Sequence, residues 1–165
     1  MIKKLKKKNI FYKEYEIINF INTILEEKKM ILKWRNNENV RKWMIDKSII
    51  PLEEHIKYID LLKYKQDKLC FLIKEDKNYL GIVEFDEITN NSAYFGINSN
   101  LNSNIQDIGK ILEEISIYLA KKYLNLKKLK LYVYKNNIKA TTLYKQSNYN
   151  IYNENKKFYF MEKIL

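Results

Sequence analysis

The chain has 165 residues, yet it contains only one cysteine, one proline, one histidine and three glycines. One cysteine excludes an internal disulfide and a cysteine-rich metal site. One histidine beside one cysteine is too few ligands for a zinc centre, so no metal is expected. The scarcity of glycine and proline argues against a linker between domains. We therefore expect a single domain over residues 1–165.

Long apolar segments are also missing. No apolar run approaches the roughly 20 residues that span a bilayer, and the basic N-terminus lacks the apolar core and cleavage site of a signal peptide. We expect a cytoplasmic protein that does not bind a membrane. Because 46% of the residues are apolar, the chain should fold around one sizeable core. Cys70, within the apolar run LCFLIK, is expected to pack there as a small hydrophobe.

Charge is strongly one-sided, with a formal net charge of +11. Such a charge suits an acidic partner, for example nucleic acid or a phosphorylated small molecule. The lysines are spread among many Asn, Ile and Tyr residues, so we attribute most of the charge to composition and expect no nucleic-acid partner. The single basic run, MIKKLKKK, is expected to be a solvated end. A nucleic-acid-binding domain remains the alternative of another class, and it would need lysines and aromatics on one face.

Helical spacing marks four segments. EEKKMILKWRNNENVRKWM (26–44) has an Asn-rich centre, which predicts a break between two helical pieces. Pro51 opens PLEEHIKYIDLL, where proline and an acidic pair suit a first helical turn. DIGKILEEISIYLAKKYL predicts a long helix, and NNIKATTLYKQSNY (136–149) a short one. The predicted buried stripe of the Pro51 helix is Leu52, Ile56, Ile59 and Leu62.

Strand-like runs lie between these helices. LCFLIK and YLGIVEFDEI, joined by EDKN, predict a hairpin, and YNIYNENKKFYFMEKI predicts another. AYFGIN (93–98) and LKKLKLYVY are single strands on either side of the long helix. That strand–helix–strand passage requires a right-handed crossover and a locally parallel pair. We therefore predict a mixed α/β fold whose mostly antiparallel sheet has one splayed parallel pair and flanking helices. The crevice between diverging parallel strands is a usual ligand site.

The short helix carries a motif that resembles the GNAT superfamily of acetyl-CoA-dependent N-acetyltransferases. Members have Asn-x-x-Ala-x-x-Leu-Tyr-x-x-x-Gly-Phe in this part of the chain. They also have a Gln/Arg-x-x-Gly-x-Gly/Ala loop before the long helix, which corresponds here to residues 104–109 with Asp107 in place of the first glycine. A carboxylate beside a pyrophosphate is unfavourable unless it points away. The motif positions of the short helix are occupied here by Asn137, Ala140, Leu143, Tyr144, Asn148 and Tyr149.

The resemblance implies the GNAT fold, acetyl-CoA as co-substrate and Tyr144 as the acid that protonates the leaving thiolate. Two simpler interpretations stay open: Tyr144 is a packed core residue, and Asn137 is a helix cap. Backbone groups of strand AYFGIN are expected to pair with the pantetheine arm, and the loop with the pyrophosphate. The implied cofactor-binding residues are Ile97, Asn98, Ser99, Asn104, Ile105, Gln106, Asp107, Ile108, Gly109, Lys110, Asn137 and Tyr144.

The N-terminal half is similar to the nucleotide-sugar N-acetyltransferases of pseudaminic acid biosynthesis, through Trp34-Arg35-Asn36, Trp43-Met44 and Glu54-His55. Those enzymes acetylate the 4-amino group of UDP-4-amino-4,6-dideoxy-N-acetyl-β-L-altrosamine. The resemblance implies a UDP-amino sugar as the small-molecule acceptor, with Glu84 as the base that accepts the amine proton. The implied acceptor-binding residues are Arg35, His55, Glu84, Asp86 and Asn98.

Several alternatives stay open at this point. Arg35 could pair with Glu38 on the surface, His55 could be a structural hydrogen-bonding residue, and the EFDE run could be a solvated strand end. A peptide or ribosomal-protein N-acetyltransferase of the same fold is the rival function. The oligomeric state is also open, with a homodimer as one alternative.

Overall fold

The computed structural model of the protein describes residues 5–6 and 9–165. Helices α1 to α5 span Leu25–Asn36, Glu38–Arg41, Leu52–Leu61, Ile108–Lys122 and Ile138–Gln146, and a 3-10 turn spans Phe20–Asn22. Strands β1 to β8 span Ile10–Tyr12, Tyr15–Asn19, Leu69–Glu75, Asn78–Asp86, Ser92–Ser99, Lys128–Tyr134, Asn150–Glu154 and Phe158–Ile164. The strands form one sheet in the order β1-β2-β3-β4-β5-β6-β8-β7.

Among the strands of the described residues, only β5 and β6 pair in parallel, and their pairing is short. It covers Ser92 with Lys128, Ala93 with Leu129, and Tyr94 with Lys130. Beyond Tyr94 and Lys130 the two strands diverge, so residues 95–99 of β5 have no partner on β6. The fold class is therefore confirmed: a mixed α/β fold with a mostly antiparallel sheet, one splayed parallel pair and flanking helices.

Helices cover both faces of the sheet. On one face, α4 packs on β4 and β5 and buries Leu112, Ile115 and Leu119 completely, in the core that also contains the predicted alternating residues of β6. On the other face, Ile31 of α1 and Ile59 of α3 pack over β3, where Cys70 is buried as predicted. Within the described ranges, none of the helices is both long enough and apolar enough to cross a membrane.

A bulge sets the register of the β3–β4 hairpin. Near its turn Lys74 pairs with Tyr79, but further along Ile73 pairs with Gly81, so Leu80 is an extra residue on β4. Such an insertion shifts every later pair by one residue. At Gly81 a Cβ atom would collide with the carbonyl oxygen of Asn98, so glycine permits the close approach of β5.

Some local predictions were wrong. Strands β1 and β2, joined by a tight turn at Lys13 and Glu14, were not predicted. Pro51 is the N-cap of α3 and precedes its first turn. Leu52 is 38% exposed while His55 is buried, because α3 turns the face of His55 and Ile59 towards the sheet. Of MIKKLKKK, the described part is Leu5 and Lys6. Leu5 is buried and the Lys6 ammonium donates to carbonyl oxygens just after α3, so neither is simply solvated.

Candidate active site

Glu84 on β4 lies directly opposite Gly96 on β5. A Cβ atom at Gly96 would stand 3.0 Å from Glu84 Oε1 and 3.3 Å from its Cγ. The glutamate side chain therefore occupies the space that a side chain at position 96 would fill. Alternation along β4 places Asp86 on the same face as Glu84, as predicted, and this is the face that α1 and α3 cover further along the sheet.

The surroundings of Glu84 are unusual for a carboxylate. Burial raises its pKa above the ordinary value, the positive charges of Lys68 and Arg35 act to lower the pKa, and Asp86 acts to raise it. Because burial is the largest effect, the pKa of Glu84 lies above that of an ordinary glutamate. A carboxylate with a raised pKa is a stronger base than an exposed one, which suits a role as proton acceptor.

Asp86 is engaged on both of its carboxylate oxygens. The Lys68 ammonium donates to Oδ2 at 2.7 Å, and the Glu87 backbone N–H donates to Oδ1 at 3.0 Å. Lys68 also stands 5.9 Å from the ring centre of Tyr58, whose hydroxyl lies 3.4 Å from Cys70 Sγ. Asp86 therefore already binds Lys68, and only part of its hydrogen-bonding capacity is free for a substrate.

Tyr144 on α5 lies in the core on the opposite face of the sheet, the face that α4 covers. Its ring meets Phe95 of β5 edge-on at 5.9 Å between centres, and it is 7% exposed. Burial, with the charge of Glu113, raises the pKa of Tyr144, so the hydroxyl keeps its proton over the whole physiological range. Phe95 and Gly96 point to opposite faces of β5. Tyr144 and Glu84 therefore lie on opposite faces of β5, at the part of the strand that has diverged from β6.

The loop before α4 ends in an unusual backbone conformation. Asp107 is the N-cap of α4 with φ of 55°, and its side chain makes no capping hydrogen bond. This left-handed region is tolerated better by Asp than by most other residues, so an aspartate can stand where the family motif has glycine. Asp107 is exposed, as are Asn104, Gln106 and Lys110. The first N–H groups of α4 have no acceptor within the helix.

Four predicted cofactor residues also have structural roles. At Gly109 a Cβ atom would stand 3.2 Å from Leu143 Cδ2, so glycine lets α5 approach α4. Asn137 caps α5, its Oδ1 accepting from the Ala140 N–H at 3.3 Å. Ile105 and the buried Ile108 pack into the core under α4. On β5, Ile97, Asn98 and Ser99 lie beyond the last pair with β6.

Arg35 holds a loop. Its guanidinium donates to the carbonyl oxygens of Ser48, at 3.0 Å, and Asp46, at 2.8 Å. Asn36 exchanges two hydrogen bonds of 2.9 Å with Ile50. The segment of residues 42–50, to which Ser48, Asp46 and Ile50 belong, also reaches the diverging end of β6. There the Tyr134 hydroxyl donates to the Met44 carbonyl at 3.4 Å. We call residues 42–50 the cleft loop. Arg35 forms no ion pair with Glu38 in the described part of the chain.

His55 lies apart from the residues around Glu84. It is 5% exposed, and burial lowers its pKa although the Lys28 backbone on α1 acts in the opposite direction. His55 is therefore near Lys28 of α1. Lys28 precedes Arg35 by about two helical turns, or roughly 10 Å along the axis, so His55 lies about that far along α1 from the part that carries Arg35. His55 Nε2 is buried and has no hydrogen-bond partner within the described ranges.

Comparisons with known proteins decide the family. No protein-family model matches the chain. The acetyltransferase PseH of Campylobacter jejuni is 36% identical over 141 residues, which cover 86% of this chain and 88% of the relative. The crystal structure of the C. jejuni N-acetyltransferase PseH has a TM-score of 0.78 at 30% identity, and the match covers 92% of this chain and 98% of that one. This chain belongs to the PseH family. It is an N-acetyltransferase.

A further match shows the fold alone. Spermidine N-acetyltransferase from Vibrio cholerae, in complex with CoA and spermine, has a TM-score of 0.82 at 19% identity, covering 93% of this chain and 96% of that one. The fold of this PseH-family chain is therefore the GNAT fold, as the motifs predicted. The described residues contain no group of three or more His, Cys, Asp or Glu side chains placed to hold a metal ion.

Two residues of the site were missed in the sequence. Lys68 precedes a strand and looks like one lysine among many, and Gly96 looks like an ordinary strand residue. The missed signal was the pairing of polar residues across the hairpin. The observed register places Cys70 opposite Glu84 and Lys68 beside Asp86, but this register depends on the bulge at Leu80.

Proposed function

We propose that this PseH-family chain transfers the acetyl group of acetyl-CoA to the 4-amino group of UDP-4-amino-4,6-dideoxy-N-acetyl-β-L-altrosamine, a step of pseudaminic acid biosynthesis in the cytoplasm. The observation that carries the proposal is the 36% identity to PseH over 86% of the chain. The divergence of β5 from β6, between Glu84 and Tyr144, supports the chemistry.

The residues around this gap fit acetyl-CoA. Residues 95–99 of β5 have no β6 partner, so backbone groups of Ile97, Asn98 and Ser99 are free to pair with an amide-containing pantetheine arm. Unpaired N–H groups at the start of α4 suit the pyrophosphate. Asn104 to Lys110 supply this loop, and the exposed Asp107 side chain need not face the phosphates. Asn137 would contact the arm through its Nδ2, since its Oδ1 caps α5.

The reaction needs a base and an acid on opposite sides of the thioester. Glu84 accepts the proton of the acceptor ammonium, directly or through a water. The neutral amine attacks the carbonyl carbon and the new C–N bond forms, the nitrogen then loses its second proton to solvent, and the C–S bond breaks. A backbone N–H of β5 stabilises the negative charge on the carbonyl oxygen, and Tyr144 gives its proton to the departing sulfur and regains one from solvent. The positions of Glu84 and Tyr144 on opposite faces of β5 support this division of roles.

The acceptor would enter on the Glu84 face. Asn98 shares that face with Glu84, and Asp86 borders it. Arg35, anchored to the cleft loop by two of its N–H groups, retains three further donors and its charge for the diphosphate. We assign His55 the role of shaping this side of the site from beneath α1.

The test is a screen of acceptor amines with acetyl-CoA, following release of free thiol. The UDP-4-amino sugar should be acetylated, and it should turn over far faster than spermidine or a peptide amine. Turnover of peptides but not of the amino sugar would move the assignment to peptide acetylation. If millimolar acetyl-CoA neither binds in calorimetry nor raises the melting temperature, the enzyme assignment fails, because a ligand of the native state must stabilise it.

A further inference from the structure

Lys68 is a partly buried charge beside the proposed base, and the reaction so far gives it no role. It directly precedes β3, and its ammonium donates to Asp86 Oδ2 at 2.7 Å. Only 22% of its side chain is exposed. Because Leu69 pairs with Phe85, Lys68 and Asp86 are the next residues outward, and they share the face of Glu84.

The register also sets the position of Lys68 relative to Glu84. Glu84 stands two residues from Asp86 on the same strand, so it is the diagonal neighbour of Lys68. Diagonal neighbours in an antiparallel pair are about 7–8 Å apart, within reach of long side chains. The Glu84 side chain makes no hydrogen bond or ion pair within the described ranges, whereas Asp86 holds the ammonium of Lys68 in place.

Other groups face Glu84 from each element packed around it. They are Asp86 on β4, Cys70 on β3, Tyr94 on β5, Tyr132 on β6, Arg35 on α1 and Tyr58 on α3. Lys130 of β6 shares the face of Tyr132, and its ammonium lies 4.4 Å from the ring centre of Tyr94. Burial raises the pKa of the Cys70 thiol to about 12 and raises the pKa of Tyr58 and Tyr132, so these three groups are neutral. Arg35 is anchored to the cleft loop. Lys68 and Arg35 are the cations that act on the pKa of Glu84, Lys68 the more strongly, and Lys68 is the one that a carboxylate of β4 holds in place.

Electrostatics agree with this geometry. Burial raises the pKa of Glu84, and the charge of Lys68 is the first effect that opposes it. Burial alone would lower the pKa of Lys68, but Asp86 and Glu84 raise it above its ordinary value. Lys68 is therefore charged throughout the working range.

We propose that Lys68 is a positioning residue that keeps Glu84 ionised as the base at neutral pH, while Asp86 fixes the Lys68 ammonium beside it. The inference rests on the proposed function, in which Glu84 accepts the proton of the acceptor amine. Lys68 touches neither substrate; it acts through Glu84.

The decisive variant is Lys68→Met, with kcat/KM for the acceptor measured from pH 5 to pH 9. The variant removes a positive charge and leaves Asp86 unpaired, and both changes disfavour the Glu84 carboxylate. The acid limb of the pH profile is the range in which kcat/KM falls as Glu84 becomes protonated. This limb should therefore move to higher pH by about one unit, the low end of the effect of a nearby opposite charge. The rate should recover towards the wild-type value at high pH. Using one acceptor throughout cancels the titration of its own amine.

Lys74→Met is a matched control. Lys74 lies on β3, which Lys68 directly precedes, and like Lys68 it forms an ion pair across the sheet, with Glu16 at 2.9 Å. The side chains of that pair are 24% and 21% exposed. The acid limb of Lys74→Met should coincide with that of the wild type. The acid limb of Lys68→Arg should also coincide with it, because arginine keeps the positive charge. Melting temperatures show that each variant is folded, and Lys68→Gln replaces Lys68→Met if the methionine variant is unfolded.

An unshifted acid limb in Lys68→Met overturns the inference. An equal shift in Lys74→Met also overturns it, since the effect would then come from net charge, and so does a shifted limb in Lys68→Arg. Glu84→Gln separates this result from failure of the proposed function. If Glu84→Gln keeps wild-type rates across the pH range, Glu84 is not the base and the proposed chemistry fails with it. If Glu84→Gln is impaired but Lys68→Met is unshifted, only the role of Lys68 fails.

Discussion

At the scale of single residues, two neighbouring tyrosines are expected to differ in the role of their hydroxyls. Tyr144 and Tyr149 both pack on Phe95, with ring centres 5.9 Å and 5.5 Å away. Tyr149 stands where the superfamily motif has phenylalanine, and its buried hydroxyl has no hydrogen-bond partner in the described part of the chain. The family motif has a tyrosine only at the position of Tyr144, which supports a chemical role for that hydroxyl.

Tyr144→Phe should lower turnover by roughly 100-fold or more, the range for a lost proton donor. Acetyl-CoA affinity and melting temperature should stay nearly unchanged, because the ring is kept. Since burial raises the pKa of Tyr144, the wild-type hydroxyl does not lose its proton in this range. The loss should nevertheless shrink as pH approaches the thiol pKa of about 8.5, where the thiolate can leave unprotonated.

Tyr149→Phe is the matched control, since it removes a second hydroxyl from the same aromatic cluster. Its turnover should be close to that of the wild type. Equal losses in the two variants would show that the hydroxyls affect only packing, and a Tyr144→Phe enzyme with full turnover would remove Tyr144 from the mechanism.

Gly96 offers a second test at this scale. Gly96→Ala places a methyl group 3.0 Å from Glu84 Oε1, so the carboxylate must move while the strand is kept. We expect kcat to fall by about tenfold or more, because small displacements of a catalytic group are costly. Urea unfolding should show only a minor change in stability. An alanine variant with normal kcat would mean that the position of the Glu84 carboxylate is unimportant.

At the scale of elements, the cleft loop connects α1 to the diverging end of β6. Its conformation depends on backbone carbonyls bound by Arg35 and Arg41 and on the Asn36–Ile50 pair. The loop therefore links the N-terminal half of the chain to the gap in the sheet. Arg35 could serve the acceptor in two ways, through this loop or through its own charge.

Two substitutions of Arg35 distinguish these roles. Arg35→Ala should raise KM for the sugar nucleotide far more than KM for acetyl-CoA. Arg35→Lys keeps the charge but loses the planar fork that binds two carbonyls at once. If the loop contacts matter most, lysine should be as impaired as alanine; if charge on the diphosphate matters most, lysine should recover most of the affinity. Equal effects on both substrates in Arg35→Ala would argue against an acceptor role.

At the scale of the whole molecule, α4 carries two adjacent carboxylates with opposite behaviour. Glu113 is buried against the sheet, 3.4 Å from the Lys163 ammonium on β8, and burial raises its pKa. Glu114 is more exposed and binds Lys13 and Tyr12, and the Lys13 hydrogen bond lowers its pKa. A raised pKa contributes stability at low pH that is lost as pH rises, and a lowered pKa does the reverse.

Glu113→Gln and Glu114→Gln should therefore shift the melting temperature in opposite directions. At pH 8, Glu113→Gln should raise it by a few degrees, because the costly buried charge is gone, and this gain should shrink towards pH 5. Glu114→Gln should lower the melting temperature at pH 8, and this loss should fade as pH falls below the ordinary carboxyl range. Thermal unfolding at several pH values measures both. Shifts of the same sign would contradict this assignment of the two carboxylates.

Much of the fold could be predicted from periodicity alone. The alternation in LKKLKLYVY and the apolar stripe of α4 identify their elements because each is buried on one side over many residues. The strand–helix–strand order required a parallel pair, and the motif around Tyr144 indicated the superfamily. Strands β1 and β2 escaped prediction because three and five residues are too few for a clear period.

The arrangement of the site was decided by the tertiary structure. With a two-residue turn at Asp76 and Lys77 and no bulge, Leu69 would pair with Glu84. The Glu84 carboxylate would then point to the opposite face of the sheet. The extra residue Leu80 moves the register, so Phe85 pairs with Leu69 and Cys70 with Glu84. A one-residue shift exchanges the faces of a strand, and Gly81, the residue after the bulge, lets β5 approach closely there. The sequence alone indicated the family and most of the residues proposed to carry the chemistry; long-range pairing determined which of them meet and added Lys68 and Gly96.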